Sequence, residues 1–373
     1  VKEAIQVMFA EVEKRGLGKK LVNYRLRDAI FSRQRYWGEP VPCVYTQDGK
    51  IYFVPDEELP VILPELEDYK GRNGQAPLEN ATEWKQYNRN GIQGTRETST
   101  MPGSAGSSWY YMRYIDPQND KEFCNQELLK HWMPVDLYVG GPEHAVGHLM
   151  YSRIWNRFLY DQGLSPVKEP FKKLVHQGMI LGENGIKMGK RFPKYVVNPS
   201  DIVRDYGADT LRLYEMFMGD FEQAAPWQTS AIAGCNRFLD RVWNLAEMTT
   251  ADKVVSEKNE PIIHKTIKKV SEDIENFSFN TSVAAFMICL NELGECSKRE
   301  VLEPLTVLLA PFAPHIAEEL WAALGHTESV CTASYPVCDE THLVRNSFEY
   351  PVSVNGKLRF KKEYAMSMTP AEI

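Results

Sequence analysis

The stretch "GENGIKMGKRFPKYVVNPSDIVRDYGAD", residues 182–209, decides how the rest of the chain is interpreted. Lys187 and Lys190 stand on either side of a Met-Gly pair, shortly after Gly182 and Gly185. Lysine carries a compact point charge on a flexible stem, which suits it to follow phosphoryl charge as it develops. The stretch therefore indicates either a solvated cationic surface loop or a loop that binds a phosphate chain.

A helix is predicted to begin directly behind this cationic loop. Asn198, Pro199 and Asp201 fit the N-cap, N1 and N3 positions of a helix start. The sequence thus predicts a mobile basic segment that leads into a well-defined helix.

The composition indicates a globular protein with a local rather than a global attraction for polyanions. The chain has 373 residues, of which 43% are hydrophobic and 25% charged, enough for two or three domains with cores. No apolar run reaches the length of a membrane span, and "VKEAIQVMFAEVEKRG" predicts a charged amphipathic helix rather than a secretion signal. Because the net charge is −7, any site for a nucleic acid must be local.

The seven cysteines are scattered and form no C-x-x-C pair. Such spacing argues against a disulfide framework and against a thiolate zinc site. We therefore expect a reducing, cytoplasmic setting and no contact with a membrane.

The first hundred residues are predicted to hold a helical connection and a small β-rich insertion. Residues 1–35 suggest two helical pieces separated by "RGLGK", and the chain begins inside a helix, as a fragment would. Within 36–100, Asp48-Gly49 lies between alternating apolar residues and predicts a hairpin. The polar stretch 68–95 suggests an elaborated surface insertion.

Residues 101–185 carry the pattern of an α/β fold. The strand-like "VDLYVGG" is followed by the helical "EHAVGHLMYSRIWNRFLYDQG" and then by the strand-like "KKLVHQGMI". This β–α–β order predicts a parallel sheet with crossover helices.

After about residue 225 the strand signals nearly vanish, and 231–345 predicts an antiparallel helical bundle. Phe238, Val242 and Leu245 follow helical spacing. Pro304 and Pro314 fit first-turn positions and Gly325 fits a helix end. Residues 346–373 return to strand-like alternation around a hairpin turn at Asn355-Gly356, as the start of a truncated β-containing module.

The motif "GGPEHAVGHLMY", residues 140–151, follows a strand and opens a helix, which is where open α/β sheets bind ligands. His144 and His148 stand four residues apart and are predicted to share a helix face. A zinc protease would need Glu directly after the first His, whereas Glu143 precedes it. A pocket wall in which Glu143 pairs with a substrate ammonium is the better interpretation, and a core histidine is the simpler alternative.

Two further segments allow a structural and a functional interpretation. In "GSSWYYMRY", residues 106–114, small hydroxyls beside aromatic rings suit an aliphatic pocket, although aromatic clusters are usually core. Residues 14–35 contain eight basic side chains against one acid, which suits either a solvated face or phosphate contacts.

Five motifs in order resemble one family. They are "IFSRQRYWGEPVP" (30–42), "GGPEHAVGH" (140–148), "GMILGENGIKMGKR" (178–191), "YGADTLRLYEMFMG" (206–219) and "LLAPFAPHIAEELWAALG" (308–325). Together they resemble the carboxy-terminal half of bacterial leucyl-tRNA synthetases, which are class I aminoacyl-tRNA synthetases. The resemblance implies an α/β plus all-α protein. The second half of a Rossmann-like catalytic domain would be followed by a lysine loop and stem-contact region over 186–230 and by an anticodon-stem-binding helical bundle.

The resemblance also implies a reaction and its residues. Leucine would be activated by ATP, which enters with Mg²⁺, and then transferred to tRNA(Leu) by a monomeric enzyme without protein-bound zinc. Lys187 and Lys190 would be the catalytic residues. ATP would be bound by Lys187, Met188, Gly189, Lys190 and His148. The leucine and adenylate pocket would comprise Ser107, Tyr110, Gly141, Glu143, His144 and His148. The tRNA contacts would be Arg25, Arg27, Arg33 and Arg35.

The sequence departs from the family pattern in ways that bear on activity. Gly189 stands where the K-M-S-K-S loop has Ser, which puts loop closure and ATP affinity in question. Arg191 replaces the last Ser. The family's H-x-G-H motif does not occur in the 373 residues, and neither does its editing domain. We therefore expect that this chain alone does not form leucyl adenylate, and whether another chain supplies the missing half stays open.

Three other functions remain as alternatives. A non-catalytic tRNA-binding module would need only the helical bundle and the basic stretch. An isoleucyl or valyl enzyme would resemble "SRQRYWG", but those enzymes generally carry Asp at the position of Glu143. A zinc hydrolase built on His144 and His148 would need a further ligand that the sequence does not reveal.

Overall fold

The fold is described from a computed structural model. It covers residues 1–25, 30–71, 74–247, 259–294, 299–343, 347–365, 368–369 and 372. These residues group into two units. Unit one comprises Val1–Asp136 and Glu143–Lys172, and unit two comprises Leu137–Pro142 and Lys173–Ile373.

Unit one begins with helix α1, Lys2–Lys14, which ends before Gly16 at a φ of 66°. The predicted second helical piece is wrong, because the described residues between 17 and 35 contain no helix. The backbone of Arg33 instead pairs with Thr100 in both directions, at 2.7 and 3.0 Å. A pairing distant in sequence therefore overrides the local helical tendency of this basic segment.

A four-stranded antiparallel sheet follows, in the order β2-β1-β4-β3. Its strands are β1 (Cys43–Thr46), β2 (Ile51–Phe53), β3 (Gln86–Arg89) and β4 (Ile92–Arg96). The hairpin at Asp48-Gly49 is confirmed, since Tyr45 pairs with Ile51. A short helix α2, Thr82–Lys85, leads into β3.

The polar stretch 68–95, which suggests an elaborated surface insertion, contains a hairpin that the sequence analysis did not predict. Residues 86–96 form a hairpin whose turn, Asn90-Gly91, has positive φ at both positions, 54° and 74°. Asn-Gly suits such a turn because both residues tolerate left-handed backbone. Tyr87 on β3 is buried with Val44 on β1, so this hairpin helps to build the small core of the insertion.

The part of unit one that follows β4 has helices as its regular elements. It contains α3 (Tyr110–Arg113), α4 (Gln126–Trp132) and α5 (Met150–Asp161). The Asn125 side chain caps α4 by accepting from the backbone N–H groups of Glu127 and Leu128. Tyr111 and Met112 of α3 are buried against Leu129 of α4, which fixes the aromatic segment that continues from residue 106.

Unit two contains the parallel strands. They form two pairs, β5 (Tyr138–Val139) with β6 (Leu174–Val175) and β7 (Ile180–Leu181) with β8 (Ala225–Pro226). Since α5 lies between β5 and β6 in the chain and these two strands run parallel, the predicted β–α–β order is confirmed.

The described residues of unit two also form seven α-helices. They are α6 (Pro199–Tyr206), α7 (Ala208–Phe217), α8 (Thr229–Glu247), α9 (Glu260–Glu275), α10 (Phe279–Leu293), α11 (Arg299–Leu309) and α12 (Pro314–Ala323). Phe238, Val242 and Leu245 are buried in their common core, as the helical spacing predicts. Only three residues separate α9 from α10, which makes these two antiparallel neighbours. Among the described residues, no helix combines the length and the apolar character that crossing a membrane requires.

The helix boundaries follow two of the three predicted signals. Pro314 occupies the N1 position of α12, and Gly325, with a φ of 93°, follows its C-cap. Pro304, however, lies inside α11 and not in its first turn, so that prediction is wrong. The helix starts earlier, at Arg299, and Pro304 removes one backbone donor from it.

The last described hairpin pairs β9 (Ser347–Val354) with β10 (Lys357–Ala365). Its turn residues Asn355 and Gly356 have φ values of 54° and 74°, which confirms the predicted hairpin turn.

A pair of stacked histidines fastens the segment 338–342 to α9. The rings of His264 and His342 lie 4.5 Å apart and are nearly parallel. His264 Nδ1 accepts from the backbone N–H of Asp339 at 3.0 Å, so the ring must be neutral to hold this bond. On the other ring, His342 Nδ1 lies 3.2 Å from a carboxylate oxygen of Glu260.

Charged and titratable groups surround this contact. The Cys338 thiol donates to the backbone carbonyl of His264, and Lys268 Nζ pairs with the Glu340 carboxylate at 2.7 Å. Partial burial lowers the pKa of His264, the neighbouring His342 lowers it further, and the Asp339 and Glu260 carboxylates oppose this effect.

We therefore predict that this contact weakens in acid. Because the pKa of His264 is lower in the folded than in the unfolded chain, its stabilisation is fully present above the unfolded value of about 6.5. The stabilisation is lost as the pH falls through the lower folded-state pKa. In His264→Asn, the amide oxygen can accept the same bond but does not titrate. Melting temperatures measured between pH 7.5 and 5 should fall less steeply for this variant than for the wild type, and equal slopes would contradict the prediction.

Candidate functional site

Residues 182–197, which we call the lysine loop, leave the end of β7 through a tight turn. Gly185 has a φ of 71°, and the N–H of Gly182 donates to the carbonyl of Ile186 at 2.9 Å. This turn returns the chain so that Lys187 forms a β-bridge with Leu181, the last residue of β7. The backbone of Lys187 is thereby fixed to a strand end, which is where parallel sheets bind ligands.

Met188 anchors the middle of the loop. Its side chain is half-buried against the helical core of unit two, and its Sδ accepts from the backbone N–H of Val197 at 3.4 Å. The residues around it, Lys187, Gly189 and Lys190, are exposed. The loop therefore combines one apolar attachment with two cations that point away from the core.

Gly189 has no structural need to be glycine. A Cβ atom built at this position meets no atom within 4 Å, and the backbone has no left-handed φ there. Packing in unit two therefore does not explain why glycine replaces the serine of the K-M-S-K-S pattern at this position.

The predicted helix start behind the loop is confirmed. Asn198 caps α6 by accepting from the N–H of Ser200 at 3.1 Å, Pro199 occupies N1, and Asp201 lies in the first turn. The capped helix holds the carboxyl-terminal end of the loop in place.

The motif at 140–151 does not form the regular helix that its spacing predicts. Pro142–His144 is a 3₁₀ turn, Ala145–Leu149 is a π-helical turn, and α5 begins only at Met150. Single π turns are rare and occur frequently at functional sites. Sequence spacing alone cannot reveal this turn, because i, i+4 spacing looks the same for both helix types.

His148 lies beside Tyr110 in unit one. Their ring centroids are 5.7 Å apart, and Tyr110 also contacts the rings of Tyr111 and Tyr114. Partial burial lowers the pKa of His148, and the neighbouring His144 lowers it further. Both effects favour the neutral form of His148, which can donate or accept a hydrogen bond without adding charge.

The other predicted pocket residues of unit one are polar and exposed. Glu143 lies with one carboxylate oxygen 3.9 Å from His144 Nε2, and Ser107 follows Gly106 in a 3₁₀ turn that runs into α3. The structure thus brings Tyr110 next to His148 and Glu143 next to His144. Unit two carries Gly141 and the lysine-loop residues.

A contact that the sequence analysis missed involves His176. Its Nδ1 donates to the carbonyl of Gly140 at 2.9 Å, and the N–H of Gly140 donates to the carbonyl of Val175 at 3.1 Å. His176 therefore holds the glycine pair at the end of β5 against the end of β6. His176 stands inside the predicted strand "KKLVHQGMI", and that pattern gave no indication of this contact.

The predicted tRNA contacts are exposed where the structure describes them. One guanidinium nitrogen of Arg33 donates to the carbonyls of Ile30 and Ser32, and Arg35 donates to the carbonyl of Gln34. Arg25 is exposed as well, whereas Arg27 lies outside the described residues.

No group of three or more His, Cys, Asp and Glu side chains in the described ranges is arranged to hold a metal ion. The zinc hydrolase hypothesis for His144 and His148 gains no support from this geometry.

Comparison with known families matches nearly the whole chain to two models. Residues 8–228 match "tRNA synthetases class I (I, L, M and V)", and residues 262–373 match "Anticodon-binding domain of tRNA ligase".

Curated relatives of this chain are also tRNA ligases. A leucine–tRNA ligase of Flavobacterium psychrophilum is 44% identical and aligns with 100% of this chain and 48% of its own length. A leucine–tRNA ligase of Leptospira biflexa is 50% identical and aligns with 96% of this chain and 42% of its own length. The chain thus spans about half the length of the curated relatives that it matches.

A solved structure is similar over the same span. It is the ternary complex of Agrobacterium radiobacter K84 agnB2 LeuRS with tRNA and LeuAMS, with a TM-score of 0.82 and 31% identity. The similarity covers 99% of this chain and 50% of that one. It confirms the predicted fold class, a class I synthetase catalytic fold together with an anticodon-binding domain.

The synthetase model covers more than half of the chain, and the relatives found over its full length are leucine–tRNA ligases. The predicted resemblance to leucyl-tRNA synthetases is therefore confirmed, and the chain belongs to the class I tRNA synthetases.

Proposed function

We propose that this chain carries the lysine-loop part of the active site and the tRNA-binding helices of a leucine–tRNA ligase. The observation that carries the proposal is the form of the lysine loop, in which Met188 is held by the core while Lys187 and Lys190 stay exposed. The choice of leucine as the substrate follows the relatives, which are named leucine–tRNA ligase.

The proposed reaction has two steps. A leucine carboxylate oxygen attacks the α-phosphorus of ATP, and the bond to the β-phosphate breaks to release pyrophosphate. A hydroxyl of the terminal adenosine of tRNA(Leu) then attacks the carbonyl carbon, and AMP leaves. Negative charge grows on the phosphate oxygens in the first step, and positioned cations lower its energy.

In this scheme Lys187 and Lys190 bind the triphosphate chain and stabilise the charge that develops on it. The bridge between Lys187 and Leu181 fixes the backbone of Lys187, so that its side chain alone must move to reach the phosphates. Met188, Gly189 and His148 complete the proposed ATP contacts. ATP enters as its Mg²⁺ complex, whose cation neutralises part of the phosphate charge.

The leucine subsite is proposed for the polar and aromatic residues around the π turn. The Glu143 carboxylate pairs with the leucine ammonium, and the neutral His148 beside Tyr110 borders the pocket without repelling that ammonium. Ser107, Gly141 and His144 complete the proposed set.

The proposed macromolecular partner is tRNA(Leu). The anticodon-binding match over 262–373 supports contacts from the helical bundle, and Arg25, Arg33 and Arg35 offer exposed cations for phosphates. Such contacts position an RNA without selecting its sequence. We include a monomeric, cytoplasmic protein in the proposal, and the six described cysteines, all free thiols, fit a reducing compartment.

A second candidate is a tRNA-binding role without catalysis. It is favoured by the anticodon-binding match together with a sequence that has no H-x-G-H motif in its 373 residues. The two candidates differ in whether leucine-dependent ATP chemistry accompanies tRNA binding.

We predict that Lys190 is required for ATP chemistry. Leucine should drive exchange of labelled pyrophosphate into ATP by the protein in its natural form, and isoleucine or valine should not. Lys190→Ala should lower kcat by about a hundredfold without changing KM for leucine, because it removes charge stabilisation from the transition state. The exposed Lys194, in the same loop, serves as the charge-matched control, and Lys194→Ala should stay within about twofold.

Other outcomes separate the candidates. tRNA binding without leucine-dependent exchange would favour the binding-only role. Equal losses in both lysine variants would show that only the general charge of the loop matters and would contradict the role given to Lys190.

We further predict that Gly189→Ser tightens ATP binding. A Cβ atom at this position meets no atom within 4 Å, and a serine restricts the open loop more than glycine does. Restricting a loop residue in this way stabilises the ordered form by about 0.4–1 kcal/mol, which lowers KM for ATP about two- to fivefold. Gly185→Ser is the contrasting variant, since a φ of 71° strains any side chain there. A raised KM in Gly189→Ser would count against the loop-closure argument.

A further inference from the structure

Helix α12 has no side-chain cap of its own. Its N-cap residue is Ala313, which offers no hydrogen bond, and Pro314 at N1 has no N–H group. The next two donors of the first turn, the backbone N–H groups of His315 and Ile316, need acceptors from elsewhere.

Asp209 of α7 supplies both acceptors from 106 residues earlier in the chain. One carboxylate oxygen accepts from His315 N at 3.3 Å, and the other accepts from Ile316 N at 2.7 Å. His315 Nδ1 lies 2.7 Å from the first oxygen. With its residue only 8% exposed, the carboxylate lies close to the positive end of the α12 dipole, where an anion is stabilised.

A second contact from α7 reaches the same corner. Arg212 Nη2 donates to the carbonyl of Pro311 at 2.9 Å, just before α12 begins. Leu213 and Tyr214, the next residues of α7, are buried in the core. We call the contacts of Asp209 and Arg212 with residues 311–316 the α7 clamp.

The amino-terminal end of α7, which carries Asp209, also leads back to the lysine loop. A single residue, Gly207, separates α7 from α6, and α6 begins at Pro199, directly after the loop. The loop itself is attached through Met188 and Val197. Any displacement of α7 is therefore passed along a short chain of packed elements to the segment that carries Lys187 and Lys190.

We propose that Asp209 is a positioning residue for the lysine loop, which it holds in place by fixing α7 to the start of α12. The proposal rests on the proposed function for its kinetic readout. α7 lies in the segment that matches the synthetase model, and α12 in the segment that matches the anticodon-binding model. The clamp therefore sets the lysine loop relative to the helical bundle. If Asp209 merely capped α12, it would affect stability and nothing else.

The test separates positioning from capping. In Asp209→Ala, kcat for leucine-dependent pyrophosphate exchange should fall about ten- to a hundredfold, as for a small misplacement of a catalytic group, while KM for leucine stays within twofold. Adding Ala313→Ser gives α12 its own cap without restoring the link to α7. The double variant should regain melting temperature but not kcat. Recovery of kcat in the double variant would overturn the proposal.

Two further variants cover other results. His315→Ala removes the ring contact but keeps both backbone bonds, and should stay within twofold of the wild type. Asp209→Asn keeps the side-chain shape but loses the charge. If the added Ala313→Ser substitution does not restore the melting temperature, Asp209→Asn, assayed at a temperature where circular dichroism shows it folded, decides the matter. Its kcat should fall about tenfold, and a wild-type kcat would overturn the proposal.

A readout without catalysis keeps this inference separate from the proposed function. Trypsin cleaves after Lys187, Lys190 and Arg191, and its rate there reports how firmly the loop is held. Cleavage should be several-fold faster than in the wild type both in Asp209→Ala and in the double variant. If the wild type shows no exchange activity but the two variants are cleaved faster than it is, the result counts against the ligase proposal alone. If the variants are cleaved at the wild-type rate, the role of Asp209 is overturned.

Discussion

The attachment of Met188 to the helical core is the constraint on which the proposed site depends. A loop rich in glycine and lysine loses much conformational entropy when it is ordered, and charged side chains contribute little burial to offset that loss. The thioether is the one apolar group between the two lysines, and it packs against the core that also holds α7 and α8. Through this contact a segment with exposed cations acquires a defined position without having its charges buried.

The same arrangement determines where this acidic chain presents positive charge. A net charge of −7 gives no general attraction for phosphate, so binding depends on where exposed cations are concentrated. Lys187 is tied to the end of β7 through its backbone, and Lys190 follows the anchor by two residues. Their side chains are exposed, which in the proposed reaction lets them follow the phosphates as charge moves from ATP to pyrophosphate. The capped α6 and the clamped α7 then connect this mobile element to a rigid bundle.

Predictions from the sequence were correct where the conformation depends on a few neighbouring residues. Asn198-Pro199 set a helix start, and Asp48-Gly49 and Asn355-Gly356 set hairpin turns, because each depends on the backbone preferences of two or three residues. Asn90-Gly91 carries the same signal, and the polar surroundings of that dipeptide concealed it.

What the sequence could not predict arises from contacts between distant residues. The basic segment around Arg33 pairs with Thr100 and does not form a helix, and Asp209 caps a helix 106 residues away. The π turn at 145–149 changes how His144 and His148 are presented although their spacing suggests an ordinary helix. The residue types of the candidate site were predictable from motifs, whereas the groups that hold them, such as His176, appear only in the folded chain.

Lysine footprinting measures whether the two exposed lysines of the loop contact the triphosphate. The natural protein is acetylated briefly with and without ATP, Mg²⁺ and leucine, and modification of each lysine is quantified by mass spectrometry. If the exposed cations around the half-buried Met188 hold the triphosphate, Lys187 and Lys190 become several-fold less reactive with the nucleotide present, while Lys194 keeps its reactivity. Unchanged reactivity at both loop lysines under saturating ATP would contradict the account.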